Sequence, residues 1–358
     1  MKSKYYLSSG YTDMVKIIDL PYTFIFVVQG RGTGKTFGAC KYCYDYHERT
    51  GDKFIYLRRL QTEADLVGNT AFSPFTPVTD FYNLDPLISG PIPNVKNVKG
   101  IWKAERNEKG DIVPAGPPIG YTAALATVSS IRGFSGRDIK VCIYDEFIPE
   151  KHVSSFRGGA SGEGQALLNC IETIGRNREL KGKKPFKMVC LSNANTIASP
   201  IFQSLGIIDS VNKMALKGKQ ECILPERGIA VFIFRDSPIS EAKKNTSLYK
   251  ASADGDFATM ALKNDFDAST YMFIGAKPID EYRILAQVGD DVYIYKHKSN
   301  NDYYVTRHRS GTPKRVYNDD EMSKRRFKRT ETNFLDAWLH GNISFSDYYC
   351  KYVLTNIL

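Results

Sequence analysis

Phe24-Ile-Phe-Val-Val-Gln-Gly-Arg-Gly-Thr-Gly-Lys-Thr36 is an unbroken apolar run that turns at once into a glycine-rich segment. The run, from Tyr22 to Val28, reads as a buried strand, and Phe37 to Arg49 beyond it reads as a helix. Glycine at 30, 32 and 34 lets the backbone curl until successive N–H groups face one point at the positive end of that helix, which is a cradle for phosphate. Gly30, Arg31, Gly32, Thr33 and Gly34 form the cradle. In such a loop Lys35 reaches the β- and γ-phosphates of ATP and the Thr36 hydroxyl ligates Mg²⁺. Arg31, inside the loop, could contact phosphate in cis. The usual pattern begins with glycine where this chain has Gln29, but Gly-Lys-Thr is intact between a strand and a helix.

Three further segments supply partners for that loop. Val141-Cys-Ile-Tyr144 is a continuous apolar strand ending in Asp145-Glu146. A carboxylate at the C-terminal end of such a strand can hold Mg²⁺ through water, and its neighbour can activate an attacking water. Asp145 is therefore the metal partner and Glu146 the candidate base. Acidic pairs at strand ends are common, so the intact phosphate loop upstream is what gives this one its meaning. Phe186-Lys-Met-Val-Cys-Leu191 is another buried strand, running into Ser192-Asn193. The Asn193 amide either reports on the γ-phosphate or serves as a turn or cap residue. Gln165 to Arg178 is helical, with Ala166, Leu167, Cys170, Ile171 and Ile174 on one face. Its end, Arg176-Asn-Arg178, has two readings. A guanidinium offered across a subunit boundary would stabilise a transferring phosphoryl group, whereas cations at a helix C-terminus also interact favourably with the dipole.

The chain has 358 residues, room for one large domain and one or two smaller ones. Hydrophobic content of 42% and charged content of 25% are those of a globular protein rather than a disordered or fibrous one. A net charge of +10 suits a polyanionic partner. No stretch approaches the ~20 apolar residues of a membrane span, and the N-terminus lacks a secretory apolar region, so no membrane role is expected. The seven cysteines are odd in number and scattered, against a disulfide framework and in favour of a reducing cytoplasm. Cys40 and Cys43 form C-x-x-C without a second pair to complete a zinc site, and fall in the expected helix, where Cys acts as a small apolar residue.

Strands alternating with helices from 22 to about 205 predict an α/β domain with a central parallel sheet, over residues 1–205. Phe54-Ile-Tyr-Leu-Arg-Arg59 is its second strand, ending in Arg58 and Arg59, for which surface ion pairs are the bland alternative. Residues 73–118 are punctuated by Pro and Gly and read as loops with one or two hairpin strands, and 157–164 as a glycine-rich surface loop. Residues 206–268, a short β segment followed by polar helix-like sequence, read as a small linker or lid subdomain. From 269 to 358 an α+β domain is expected, with strands at 282–288, 292–295 and 303–306 and helices near 333–340 and 346–356. Lys324-Arg-Arg-Phe-Lys-Arg329 sets five cations around one aromatic, either a phosphate-tracking patch or a solvated charge run.

With these residues assembled, the chain resembles the DNA-packaging ATPases of small tailed bacteriophages, compact ASCE P-loop relatives of terminase large subunits. The resemblance is carried by Val27–Thr36, Phe54–Arg59, Ile143–Lys151, Ala166–Asn169, Arg176–Glu179 and Cys190–Ala194, with Ser130-Ile-Arg-Gly-Phe134 similar to larger terminases. It implies that Lys35, Thr36, Asp145 and Glu146 form a hydrolytic site and that Arg176 is a finger offered to a neighbour. It also implies a homomeric ring, commonly a pentamer, docked in the host cytoplasm on the capsid portal with double-stranded DNA threading its centre. A structural RNA partner is left open. The C-terminal domain would be similar to an RNase H-type nuclease, vestigial in the small-phage branch. Tyr282–Val288 carries no acid in its body, Asp290-Asp291 fall in a turn and Asp336 stands alone, so no cutting is expected. The alternatives are a terminase-like motor with active nuclease, a P-loop phosphotransferase, which needs no water-activating Glu146, and a DNA-binding structural subunit with a disabled P-loop, against which Lys35, Thr36 and Glu146 are intact.

Overall fold

A computed structural model of the chain describes residues 4–127, 138–148, 159–175, 177–193, 199–235, 237–251 and 274–358. A nine-stranded sheet organises the larger part, in the order β3-β4-β5-β2-β6-β7-β1-β9-β8. Its strands are β1 (Phe24–Gln29), β2 (Lys53–Arg58), β3 (Leu87–Ile92), β4 (Val95–Arg106), β5 (Ile112–Ala124), β6 (Ile139–Asp145), β7 (Lys187–Ser192), β8 (Glu221–Leu224) and β9 (Ile229–Phe234). The six strands from β5 to β9 are mutually parallel, whereas β3, β4 and β8 join antiparallel at the two ends. Strands buried on both faces read as near-continuous apolar runs, and Ile25 to Val28, Phe54 to Leu57 and Ile229 to Phe234 are all buried.

Alternate residues of these strands face two cores. One face carries Val27, Tyr56, Ile143 and Leu191 against Ala39, Cys40 and Cys43 of α2 (Lys35–Thr50) and Met14 and Ile17 of α1 (Met14–Ile18). Cys40 and Cys43 are thus core residues. The other face carries Phe26, Leu57, Tyr144 and Cys190 against α5 (Gly159–Gly175), α6 (Pro200–Ser204) and α7 (Ile208–Leu216). Between β2 and β3 lie α3 (Gln61–Val67) and α4 (Thr76–Tyr82). After β9 come α8 (Pro238–Lys243) and α9 (Ser247–Ala251). No helix among the described residues is long and apolar enough to cross a membrane.

Three sequence expectations are corrected here. The hairpin strands expected within 73–118 are present, but as three long strands, β3 to β5, that replace most of the expected loop; β2 pairs with β5 only along Phe54–Arg58 with Gly120–Ala124. Pro114, Pro117 and Pro118 of β5 lie outside that register, where a missing N–H breaks no ladder with β2. The glycine-rich stretch is helical from Gly159 onward. At Gly164 a Cβ would lie 1.9 Å from Ser204 Oγ and 2.9 Å from the Pro200 carbonyl, so glycine there permits close packing of α5 on α6. Finally, a boundary at 205/206 cuts through the sheet: α7 covers one face, and β9 pairs with β1 along its whole length.

The C-terminal unit is α+β, as expected. Its five-stranded sheet has the order β13-β10-β11-β12-β14, from β10 (Tyr282–Val288), β11 (Val292–His297), β12 (Tyr303–Thr306), β13 (Arg315–Tyr317) and β14 (Ile343–Phe345). β10, β11 and β12 form an antiparallel meander, flanked by parallel β13 and β14. The helices are α10 (Glu321–Thr330), α11 (Thr332–Leu339) and α12 (Tyr348–Ile357). Tyr348 and Tyr352 of α12 bury themselves in the core beneath α7, and Arg307 bridges Asp209 and Asp347 at 3.6 and 3.5 Å.

Candidate active site

β1 delivers the chain to the phosphate loop and α2 starts inside it. Gly32 and Gly34 adopt φ of +63° and +90°, the left-handed conformations that favour glycine. Lys35 is buried, and its Nζ donates to the carbonyls of Gln29 and Gly30 at 2.9 and 2.8 Å and to Asn193 Oδ1 at 2.9 Å. Burial pushes this ammonium down to about 7, against the opposing pull of Asp145. Thr33 Oγ1 donates to the Gly30 carbonyl. Gln29, the departure from glycine, has a structural role: it accepts a 2.6 Å bond from Thr12 Oγ1, and its Nε2 lies 3.3 Å from Tyr6 Oη. With Thr12 N donating to the Thr33 carbonyl, these bonds fasten the N-terminal turn to the loop.

The sheet order brings the acids to the loop. β7 lies between β1 and β6, so Lys35, Asn193 and Asp145-Glu146 all emerge at the C-terminal ends of neighbouring parallel strands, where ligands of open α/β sheets bind. Thr36 Oγ1 donates to Asp145 Oδ2 at 3.0 Å. A hydroxyl beside a carboxylate is an all-oxygen donor pair of the kind Mg²⁺ prefers, with its remaining positions left to water and phosphate. Among the described residues no three His, Cys, Asp or Glu side chains form a protein-only metal cage. Glu146 sits at φ +59°, a conformation costly for a non-glycine residue and characteristic of functional turns. Burial raises its carboxyl above the ordinary range, with Arg58 opposing and Asp145 adding to the rise.

The sequence named no role for Tyr56 or Glu163 and offered Arg58 and Arg59 only surface ion pairs. Tyr56 Oη donates to Asp145 Oδ2 at 2.6 Å. Arg58 is a site residue rather than a surface ion pair: its Nη2 lies 2.6 Å from Glu146 Oε2 and its Nη1 3.6 Å from Asp145 Oδ2. Period-two alternation puts 56 and 58 on the same face of β2. The aromatic and the cation at those positions were the available signal, but nothing local says that β6 is the neighbour. Arg59 turns the other way into a buried pair with Glu163 at 3.0 Å, and Tyr144 donates to the second Glu163 oxygen at 2.8 Å. This network ties β2 and β6 to α5.

Other expected residues lie elsewhere. Arg178 Nη1 donates to the Ile139 carbonyl at 3.1 Å, at the start of β6 and about 20 Å of strand from Asp145. Arg176, Ser130–Phe134, Pro149–Lys151 and Ala194 fall outside the described residues. In α10 the cationic run divides: Phe327 is buried, Lys324 pairs with Asp319 at 2.8 Å, Arg326 stacks over Tyr317, and Arg325, Lys328 and Arg329 are exposed.

A model of the podovirus DNA encapsidation protein family matches residues 116–351, more than half of the chain. The DNA packaging proteins of Bacillus phage B103 and Bacillus phage phi29 are each 26% identical to it, over 250 and 256 residues. Those alignments take in 70% and 71% of this chain and 66% and 65% of the relatives, so the chain spans slightly less than two thirds of their length. In fold it is similar to the Phi-28 gp11 DNA packaging motor, with a TM-score of 0.64 at 17% identity over 98% of this chain and 97% of that one. A chain of the bacteriophage Phi-29 viral genome packaging motor assembly gives 0.64 at 16% identity, over 98% and 100%. The family match begins in β5 and ends in α12, taking in the Asp145-Glu146 strand, the Asn193 strand and almost all of the C-terminal unit, and the chain belongs to the podovirus DNA encapsidation proteins.

Proposed function

We propose that the chain is an ATPase subunit of a packaging motor that hydrolyses ATP to drive double-stranded DNA into a procapsid. The observation that carries this reading is the convergence of Lys35, Thr36, Asp145, Glu146 and Asn193 at the ends of three adjacent parallel strands. Gly30, Arg31, Gly32, Thr33 and Gly34 would receive the phosphates, with Lys35 exchanging its carbonyl partners for phosphate oxygens. Thr36 and Asp145 would hold Mg²⁺, which withdraws charge from the phosphate oxygens. Glu146 takes a proton from the attacking water, whose oxygen forms the new bond to the γ-phosphorus while the bond to ADP breaks. Asn193, bonded to Lys35, would report on the γ-phosphate.

Family membership and the names of the relatives support DNA as the cargo, and the +10 charge suits it. The reading brings a homomeric ring on the capsid portal in the host cytoplasm, with a structural RNA as a further candidate partner. Arg176 would act in trans; in support, its neighbour Arg178 is anchored at the opposite end of β6 from the acids. No nuclease role is proposed for the C-terminal unit, because Asp291 is engaged by Tyr349 and Asp336 is exposed beside His340. Incubation with DNA and Mn²⁺ should leave the DNA intact.

Phosphate release measured with and without double-stranded DNA tests the whole reading. Turnover without any phosphoryl acceptor, stimulated by DNA and abolished in Glu146→Gln while ATP still binds, is the expected result. Turnover only on addition of an acceptor would replace it with a phosphotransferase.

A further inference from the structure

A second ammonium stands against the phosphate loop, from a part of the chain that no motif marks. Lys243, the last residue of α8, donates from Nζ to the Arg31 carbonyl at 2.6 Å. A Cβ at residue 32 would lie 2.1 Å from that Nζ, so the ammonium rests directly against the glycine of the loop. α8 does not reach the loop by chance of a floppy segment: Pro238 and Ile239 pack within 3.0 and 3.2 Å of where a Cβ on Gly10 would stand. Gly10 belongs to the N-terminal turn that Thr12 fastens to Gln29 and Thr33.

The electrostatics are those of a site built around an anion. Among the described residues no carboxylate pairs with Lys243, and burial lowers its ammonium. Two like charges beside one loop, the buried Lys35 and the half-exposed Lys243, repel one another in the free protein, and the same arrangement becomes favourable once a multiply charged anion lies between them. Inorganic monoanions would satisfy one lysine; a polyphosphate chain can satisfy both.

We propose that Lys243 is a second phosphate-binding residue of the nucleotide site, meeting the triphosphate from the Arg31–Gly32 side while Lys35 meets it from within the loop. The inference rests on the nucleotide-site reading above and adds to it a ligand that arrives 212 residues later in the chain. It also makes α8, and with it the N-terminal turn, sensitive to the number of phosphates bound.

The test is equilibrium binding of fluorescent ATP, ADP and adenosine analogues to the full chain and to Lys243→Met and Lys243→Arg. Methionine keeps the apolar stem and removes the charge. Loss of a charge-assisted contact should weaken ATP by about 10-fold or more, ADP by less and adenosine not at all, with Lys243→Arg recovering most of the affinity. The thermal midpoint of unliganded Lys243→Met should match or exceed that of the wild type, since a repulsion is removed. Wild-type ATP affinity in Lys243→Met, or an equal loss for all three ligands, overturns the inference while leaving the nucleotide site standing. A wild-type chain that binds no ATP overturns the site and the inference together.

Discussion

Arg58→Met should move the acidic limb of the hydrolysis pH profile upward by about one unit. Arg58 lies 2.6 Å from the Glu146 carboxylate and 3.6 Å from that of Asp145. Opposite charges ~4 Å apart attract by about 4 kcal/mol at an effective dielectric near 20. The Glu146 side chain is 42% exposed, so solvent reduces this to about 1–2 kcal/mol, and 1.36 kcal/mol corresponds to about one pKa unit. The sign follows from the chemistry. As the proposed base, Glu146 would act only when ionised; burial already raises its pKa, and removing the cation raises it further, so activity is lost at a higher pH as acid is added. Steady-state phosphate release from about pH 5 to pH 9 reads the shift. Arg58→Lys, which keeps the charge, should leave the limb close to wild type. An active Arg58→Met enzyme with an unmoved limb would refute the claim that this guanidinium sets the ionisation of the base.

Other consequences concern the supports of the site. Tyr56→Phe removes the 2.6 Å donor to Asp145; at about 1.5–3 kcal/mol for a bond to a charged group, half-maximal Mg²⁺ should rise by about 10-fold or more, and an unchanged Mg²⁺ titration would count against Asp145 as metal partner. Glu163→Ala removes the buried carboxylate that pairs with Arg59 and accepts from Tyr144 and should cost about 3 kcal/mol in denaturant unfolding, whereas a loss below ~1 kcal/mol would mean the pair is solvated. Nucleotide binding should take up protons, because burial pushes the Lys35 ammonium down to about 7 and an anion facing it would raise it again. Affinity should therefore fall as pH rises through and beyond that value, and calorimetric enthalpies in buffers of different ionisation heat should diverge. Identical enthalpies would exclude a neutral Lys35 in the free protein.

Much of the site was legible because its chemistry is local. A strand running into Gly30, Gly32 and Gly34 dictates the curl that points N–H groups at phosphate, and Val141–Tyr144 followed by Asp145-Glu146 announces an acidic strand end. The expected sheet strands reappear at β1, β2, β6 and β7, since residues buried on both faces leave uninterrupted apolar runs. Local signals misled where packing overrode them: the glycine-rich stretch 157–164 reads as a loop, yet Gly164 is what lets two helices touch.

What the amino-acid order determined by itself is the cradle, the paired acids and the strands that present them, because each is a property of a few consecutive residues. Only the tertiary structure decided that β2 lies beside β6, giving Arg58 to Glu146 and Tyr56 to Asp145, that β9 flanks β1, and that Lys243 reaches Arg31. Those contacts join residues 88 to 212 positions apart, and such pairings are set by the burial and hydrogen-bonding of whole strands, not by any pattern a short window of sequence can carry.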